Sequence, residues 1–202
     1  MERHRRPTIT EQARRAQLIS VTIELVAARG YAGCSLQRIA EAAGVTKGAV
    51  IYHFESKNAV IGAAYDEVVG ALARRVHSAL HDASGPADAV DAYVESTIGY
   101  MAANPAHVRM LVEALSPANE AGIADHPGSA ARWQALAELI TAALEAGEYR
   151  PETDAKTLAI ILNGAIDAVV AQTLADPGYD LAGSTAYVLD MLHRTALPPT
   201  PR

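Results

Sequence analysis

Residues 35–57, S-L-Q-R-I-A-E-A-A-G-V-T-K-G-A-V-I-Y-H-F-E-S-K, constrain this chain more than any other stretch. Two short amphipathic segments meet there at a glycine. Ser35 offers a hydroxyl to the free N–H groups of an opening helical turn, and Leu36, Ile39, Ala40 and Ala43 fall on one face at helical spacing. Gly44 stands where a chain reversing out of a helix needs a positive φ. Thr46 caps a second segment whose inner face carries Val50 and Phe54, with Val45 at the turn. Small Ala40 before the turn and aliphatic Val50 after it are helix-turn-helix spacing, because the two helices pack closely only if the first is small at the crossing. A plain helical hairpin satisfies the same spacing. As a helix-turn-helix, the second helix presents Lys47, Gly48, Ala49, Tyr52 and His53 outward, at a width that fits a DNA major groove.

Beyond the spacing, A-G-V-T-K-G-A-V-I-Y-H-F-x-S-K closely resembles the DNA-binding segment of tetracycline-repressor-type (TetR family) transcriptional regulators. The resemblance extends back through the preceding helix and its G-Y-A-G-C-S link, over the first quarter to third of the chain. Ile51 departs from the family, which often has an aromatic residue there, usually a Tyr that commonly touches a phosphate. Ile51 carries no donor for that contact.

Ala, Leu, Glu and Arg dominate the periodic stretches and strong strand signals are missing, so the chain reads as all-α. We expect about nine helices: an N-terminal three-helix helix-turn-helix domain over 1–57 and a helical effector-binding and dimerisation domain over 58–202. At 202 residues, half of them apolar, the chain buries a sizeable core. Residues 1–57 hold nine of the 17 Lys and Arg but only five of the 23 Asp and Glu. A basic end on an acidic body suits a protein that meets nucleic acid at one end.

In chain order, the start with Arg3, Arg5, Arg6 and Pro7 reads as an arm able to lie along phosphates or as a solvated tail. Thr10 is expected to cap a first helix to about residue 29, with Ala16, Ile19, Ile23, Val26 and Ala27 as its buried stripe and Gly30 as its stop. Arg14 and Arg15 lie near its start, where DNA would pass. Cys34, the single cysteine, reads as a small buried side chain, without a second cysteine to resolve an oxidised form. Ser56 caps a long fourth helix, and Lys57 in its first turn can meet a phosphate. In the family this helix is the lever that sets the spacing of the two heads of a dimer. Further helices follow from Pro86, Pro105, Ala130, Ala155 and Ala182. A-L-E-A-G-E-Y-R-P-E-T-D is similar to the family's body, more loosely.

The DNA-binding candidates are therefore Gln37, Thr46, Lys47, Gly48, Ala49, Tyr52, His53 and Lys57. Tyr93, Tyr100, Met101, Met110 and Trp133 are candidates for an effector pocket, a core role being the simpler account of each. Asn163 and Asp167 join them, because if buried each needs a partner from a ligand, a dimer mate or neighbouring backbone. Gly164, Ala165, Ala168 and Ala171 permit close helix approach, and the last two helices are more apolar than a monomer needs. A homodimer through a four-helix bundle follows. His77 and His81 have metal-binding spacing with Asp82 beside them but lack an evident third ligand, so no metal and no cofactor is expected.

The apolar run 158–174 is interrupted by Asn163, Asp167 and Gln172 and is short for a membrane span. With the charged N-terminus and lone cysteine, a cytoplasmic protein is expected. G-x-S-x-G, phosphate-loop, dinucleotide and H-E-x-x-H signatures are absent from the sequence, which argues against an enzyme. The reading is a repressor that binds a palindromic double-stranded operator as a dimer and is released by a small, largely apolar ligand. The alternative is a DNA-binding dimer without a small-molecule switch, controlled by a protein partner or acting architecturally.

Overall fold

The computed structural model describes residues 8–116, 130–176 and 178–198. Among them there are nine helices and no strand: α1 Ile9–Gly33, α2 Leu36–Ala43, α3 Lys47–His53, α4 Lys57–His81, α5 Pro86–Ala103, α6 Pro105–Leu115, α7 Ala130–Glu145, α8 Ala155–Ala175 and α9 Leu181–Ala196. The all-α expectation holds. The arginine-rich start with Arg3, Arg5, Arg6 and Pro7, the loop over 117–129 and the tail from 199 lie outside the described residues.

Two compact units divide the chain. The first comprises residues up to 69 together with 109–124, and the second 70–108 with 125–202. Helices α4 and α6 each contribute residues to both.

In the first unit α1 packs on α2 and α2 on α3. Leu18, Val26, Ile39, Ala40, Val50 and Phe54 are buried in its core. Helix α1 begins two residues earlier than expected. Thr8, not Thr10, is its N-cap, and Thr8 and Glu11 form a reciprocal capping box. Its buried residues are Leu18, Thr22, Ile23 and Val26, whereas Ala16 is exposed and Ile19 only half-buried. Thr22 tolerates burial because its hydroxyl donates to the Leu18 carbonyl at 2.8 Å. The α-helical path of α1 breaks at Gly30, with φ 67° and ψ 174°, a region open in practice to glycine alone.

In the second unit α7 packs on α8 and α5, α5 on α8, and α9 on both α5 and α8. Val90, Val94, Ile98, Leu136, Ile140, Leu162, Ile166 and Leu192 fill it. Asp154 caps α8 by accepting the Thr157 N–H at 2.6 Å. Arg150, in the turn before α8, closes the far end of α9. Its backbone N–H donates to the Ala196 carbonyl at 2.8 Å and its Nε to the Leu197 carbonyl at 2.6 Å. The R-P-x-x-D motif thereby ties the end of α9 to the start of α8, satisfying carbonyls a helix end otherwise leaves open.

Candidate nucleic-acid interface

Caps and a glycine aim the two short helices of the head. The Ser35 hydroxyl accepts the Arg38 N–H at 3.2 Å and opens α2. Gly44 ends it in the left-handed region at φ 66°. The Thr46 hydroxyl then accepts the Ala49 N–H at 3.2 Å and opens α3. Val50 is fully buried and Phe54 nearly so, which anchors the inner face of α3. Lys47, Gly48 and Tyr52 are left exposed on the other side, with Ala49 and His53 half-exposed.

The eight sequence candidates divide into two groups. Gln37, Thr46, Lys47, Gly48, Ala49, Tyr52 and His53 lie on or directly before α2 and α3. The Gln37 amide donates to Glu41 Oε1 at 2.8 Å. Tyr52 is 74% exposed. Lys57, at the start of α4, has partners within the chain. Its Nζ donates to the Tyr31 carbonyl at 2.6 Å and lies 3.6 Å from the Tyr31 ring centroid. Ile51, at the family's aromatic position, is also exposed.

Helix α1 supports the two short helices through side chains that the sequence did not single out for this. Arg15 Nη1 donates to the His53 carbonyl at 3.0 Å, and Gln17 Nε2 to the Ala43 carbonyl at 3.2 Å. The last carbonyls of α3 and α2 are thus each met by a donor from α1. Tyr31 ties in α4 and α6: its hydroxyl donates to Asn58 Oδ1 at 2.7 Å, and its N–H to Glu113 Oε2 at 2.8 Å. Cys34 is buried, and burial pushes its thiol above the ordinary range, against the opposing pull of Lys57 and Arg38.

The effector candidates are not brought into one described cavity. Met101 and Met110 are buried, but Met110 belongs to the first unit and the other six to the second. The Tyr100 hydroxyl is 2.7 Å from His107 Nδ1. Asn163 Nδ2 donates to the Arg132 carbonyl at 2.8 Å, so neighbouring backbone is its partner. Asp167 is exposed and pairs with Arg132 Nη2 at 2.6 Å. Burial raises the half-buried Tyr93 phenol above its ordinary value; the Asp167 charge adds to this and Arg132 opposes it. Trp133 is half-buried, with Lys156 Nζ 5.1 Å from its ring centroid. A cleft of about 500 Å³ is lined by Leu144, Gly147, Tyr149, Arg150, Pro151, Glu152 and Pro198, and holds none of the seven. His77 and His81 are exposed on α4.

The sequence profile described as "Bacterial regulatory proteins, tetR family" matches residues 18–64. Over that stretch the chain is similar to the tetR family. Among its relatives is the HTH-type transcriptional repressor DhaR of Mycobacterium sp. (strain GP1), 40% identical over 72 residues. That alignment covers 36% of this chain and 36% of the relative, so the chain matches about a third of that protein's length. A TetR transcriptional regulator from Chloroflexus aurantiacus J-10-FL superposes with a TM-score of 0.81 at 20% identity, covering 94% of this chain and 99% of that one. The transcriptional regulator FadR from Bacillus subtilis, solved in complex with stearoyl-CoA, gives 0.78 at 20% identity, covering 88% and 96%. At such identities the structural likeness is one of fold. All eight DNA-binding candidates fall inside the stretch matching the tetR family, whereas Glu11 and Arg15 lie before it.

Proposed function

We propose that the chain is a cytoplasmic transcriptional repressor whose homodimer binds a palindromic operator and releases it on binding a small, largely apolar ligand. The observation that carries this reading is α3. Its inner face is anchored by Val50 and Phe54, and it presents Lys47, Gly48 and Tyr52 outward behind a glycine turn. In the groove, Lys47 meets phosphate, Gly48 permits close approach, and Ala49, Tyr52, His53 and Gln37 face base edges or nearby backbone. Lys57 acts from behind by holding Tyr31.

A dimer is supported by an apolar stripe on α8. Ile161, Gly164, Ala168 and Ala171 are spaced three, four and three apart and all exposed, and α9 adds exposed Tyr187 and Met191. Small residues at that spacing let a second helix approach closely. By length and composition α8 is apolar enough to cross a membrane. Asn163, Asp167 and Gln172 on it favour a protein partner over lipid. Two heads on one face of a duplex read two half-sites, which a single short α3 cannot.

Ligand release would follow from a ligand that prefers a head spacing mismatched to the operator, with a coupling of about 1–3 kcal/mol. The neighbour solved with stearoyl-CoA makes acyl chains a first class to try. The second reading, a DNA-binding dimer without such a switch, is favoured by one observation: the effector candidates are held by protein partners such as His107 and Arg132. Fluorescence anisotropy on duplexes flanking the chain's own gene, followed by titration with stearoyl-CoA and other apolar compounds, separates the two. Saturable binding to one duplex that such a compound reverses supports the switch. Binding that every compound leaves intact supports the second reading, and equal weak binding to all duplexes contradicts both.

A further inference from the structure

Helix α3 has seven residues, too few to hold itself in place, so its aim depends on what grips it. From inside the grip is Val50 and Phe54. From outside it is α1. Glu11 and Arg15 stand one turn apart on α1 and share a face. Glu11 Oε1 accepts the Tyr52 hydroxyl at 3.0 Å, while its Oε2 accepts the Thr8 N–H at 2.6 Å. The capping box of α1 therefore fixes the carboxylate that holds the tyrosine. Arg15 Nη1 reaches the His53 carbonyl, and its guanidinium carbon lies 4.2 Å from the Phe54 ring centroid. A cation there also meets the negative end of the α3 dipole. Three consecutive residues of α3 and its C-cap, Tyr52 to Phe54, are thus held by one face of α1.

A carboxylate on a surface that meets DNA repels phosphate, so Glu11 is ill suited to touch the duplex. Its contact with Tyr52 gives it another use. We propose that Glu11 and Arg15 are positioning residues that set the register of α3 in the groove. They hold the Tyr52 ring at one base step and so determine sequence preference without reading bases themselves. This rests on the DNA-binding reading above.

The wild-type protein first selects a duplex from a random-sequence pool. Failure to enrich any sequence would overturn the DNA-binding reading and this inference with it. Anisotropy then compares the selected duplex with a scrambled one for Glu11→Ala, Tyr52→Phe and the double variant. Glu11→Ala should lower the selected-to-scrambled affinity ratio about five- to ten-fold. Tyr52→Phe should do about the same, and the double variant no worse than either. Equal affinity gains on both duplexes would make Glu11 a plain electrostatic brake. A lower melting temperature with an unchanged ratio would make it only a helix cap, and additive losses would uncouple it from Tyr52. Each of these overturns the proposal. Arg15→Ala should lower the ratio without changing the salt dependence of binding, and Arg15→Lys, which keeps a donor for His53, should restore part of it. A salt slope shallower by about one in Arg15→Ala would make the residue a phosphate contact and overturn its positioning role.

Discussion

Glu113 accepts the backbone N–H of Tyr31 at 2.8 Å, across 82 positions of sequence. The acceptor comes from α6 and the donor stands directly after the break of α1 at Gly30. A Cβ placed on Gly30 would lie 3.0 Å from Glu113 Oε2. Gly30→Ala therefore combines a φ of 67° with crowding of that carboxylate, and should cost about 1–3 kcal/mol. Glu113→Ala should cost a similar amount, about 1–3 kcal/mol, by leaving the Tyr31 N–H unmet. Urea unfolding at constant m-value measures both. A Gly30→Ala midpoint equal to wild type would contradict the break.

Lys57 donates to the Tyr31 carbonyl and lies over its ring. Lys57→Met should lower the unfolding midpoint and leave the salt slope of DNA binding near the wild-type value. A slope reduced by about 0.9 would restore Lys57 to the phosphate contacts.

Much of this head is legible in the sequence. Ser35, Gly44 and Thr46 cap and turn where side-chain chemistry places them, since each acts within four residues of its partner. The start of α1 is legible too, in Thr8-x-x-Glu11, although the cap was expected two residues later, at Thr10. Thr22 was missed in the buried stripe because its polarity is cancelled by a local hydrogen bond that spacing does not reveal. Arg15, Gln17, Tyr31 and Glu113 act across 26 to 82 positions, and no local pattern announces such partners. For the body, aromatic and thioether residues mark core and ligand sites alike, and helix order alone does not separate Met110 from Tyr93 and Trp133.

Ile161, 54% exposed in the α8 stripe, tests the dimer. Ile161→Glu should shift a dimer to monomer in analytical ultracentrifugation at micromolar concentration, with helicity by circular dichroism retained, because a charge would be buried unpaired at the interface. An unchanged sedimentation coefficient would place the interface elsewhere.

Cys34 is buried with its thiol held above the ordinary range. Iodoacetamide at pH 8 should label it slowly in the native protein and rapidly in urea. Equal rates would contradict its burial.

Two carboxylates titrate with opposite sign. Hydrogen bonds from Thr157 hold Asp154 below the usual carboxylate range. Its contribution is present above the unfolded value of about 3.9 and is lost as pH falls through the lower folded one. Asp91 is raised, by burial first, with the hydrogen bond and charge of His193 opposing and Asp88 reinforcing. Its contribution is present below about pH 3.9 and is lost as pH rises through the higher folded value. Melting temperatures between pH 3 and 7 should show the advantage of wild type over Asp154→Asn growing with pH, and that over Asp91→Asn shrinking. Parallel curves would contradict both assignments.

In the proposed function, exposed α3, led by Lys47, docks in a DNA groove. The most direct measurement is anisotropy of wild type and Lys47→Ala on a selected duplex over a salt series. Wild type should bind tightly, with an affinity that falls steeply with salt. Lys47→Ala should bind more weakly, with a slope shallower by about 0.9. An unchanged affinity and an unchanged slope would contradict it.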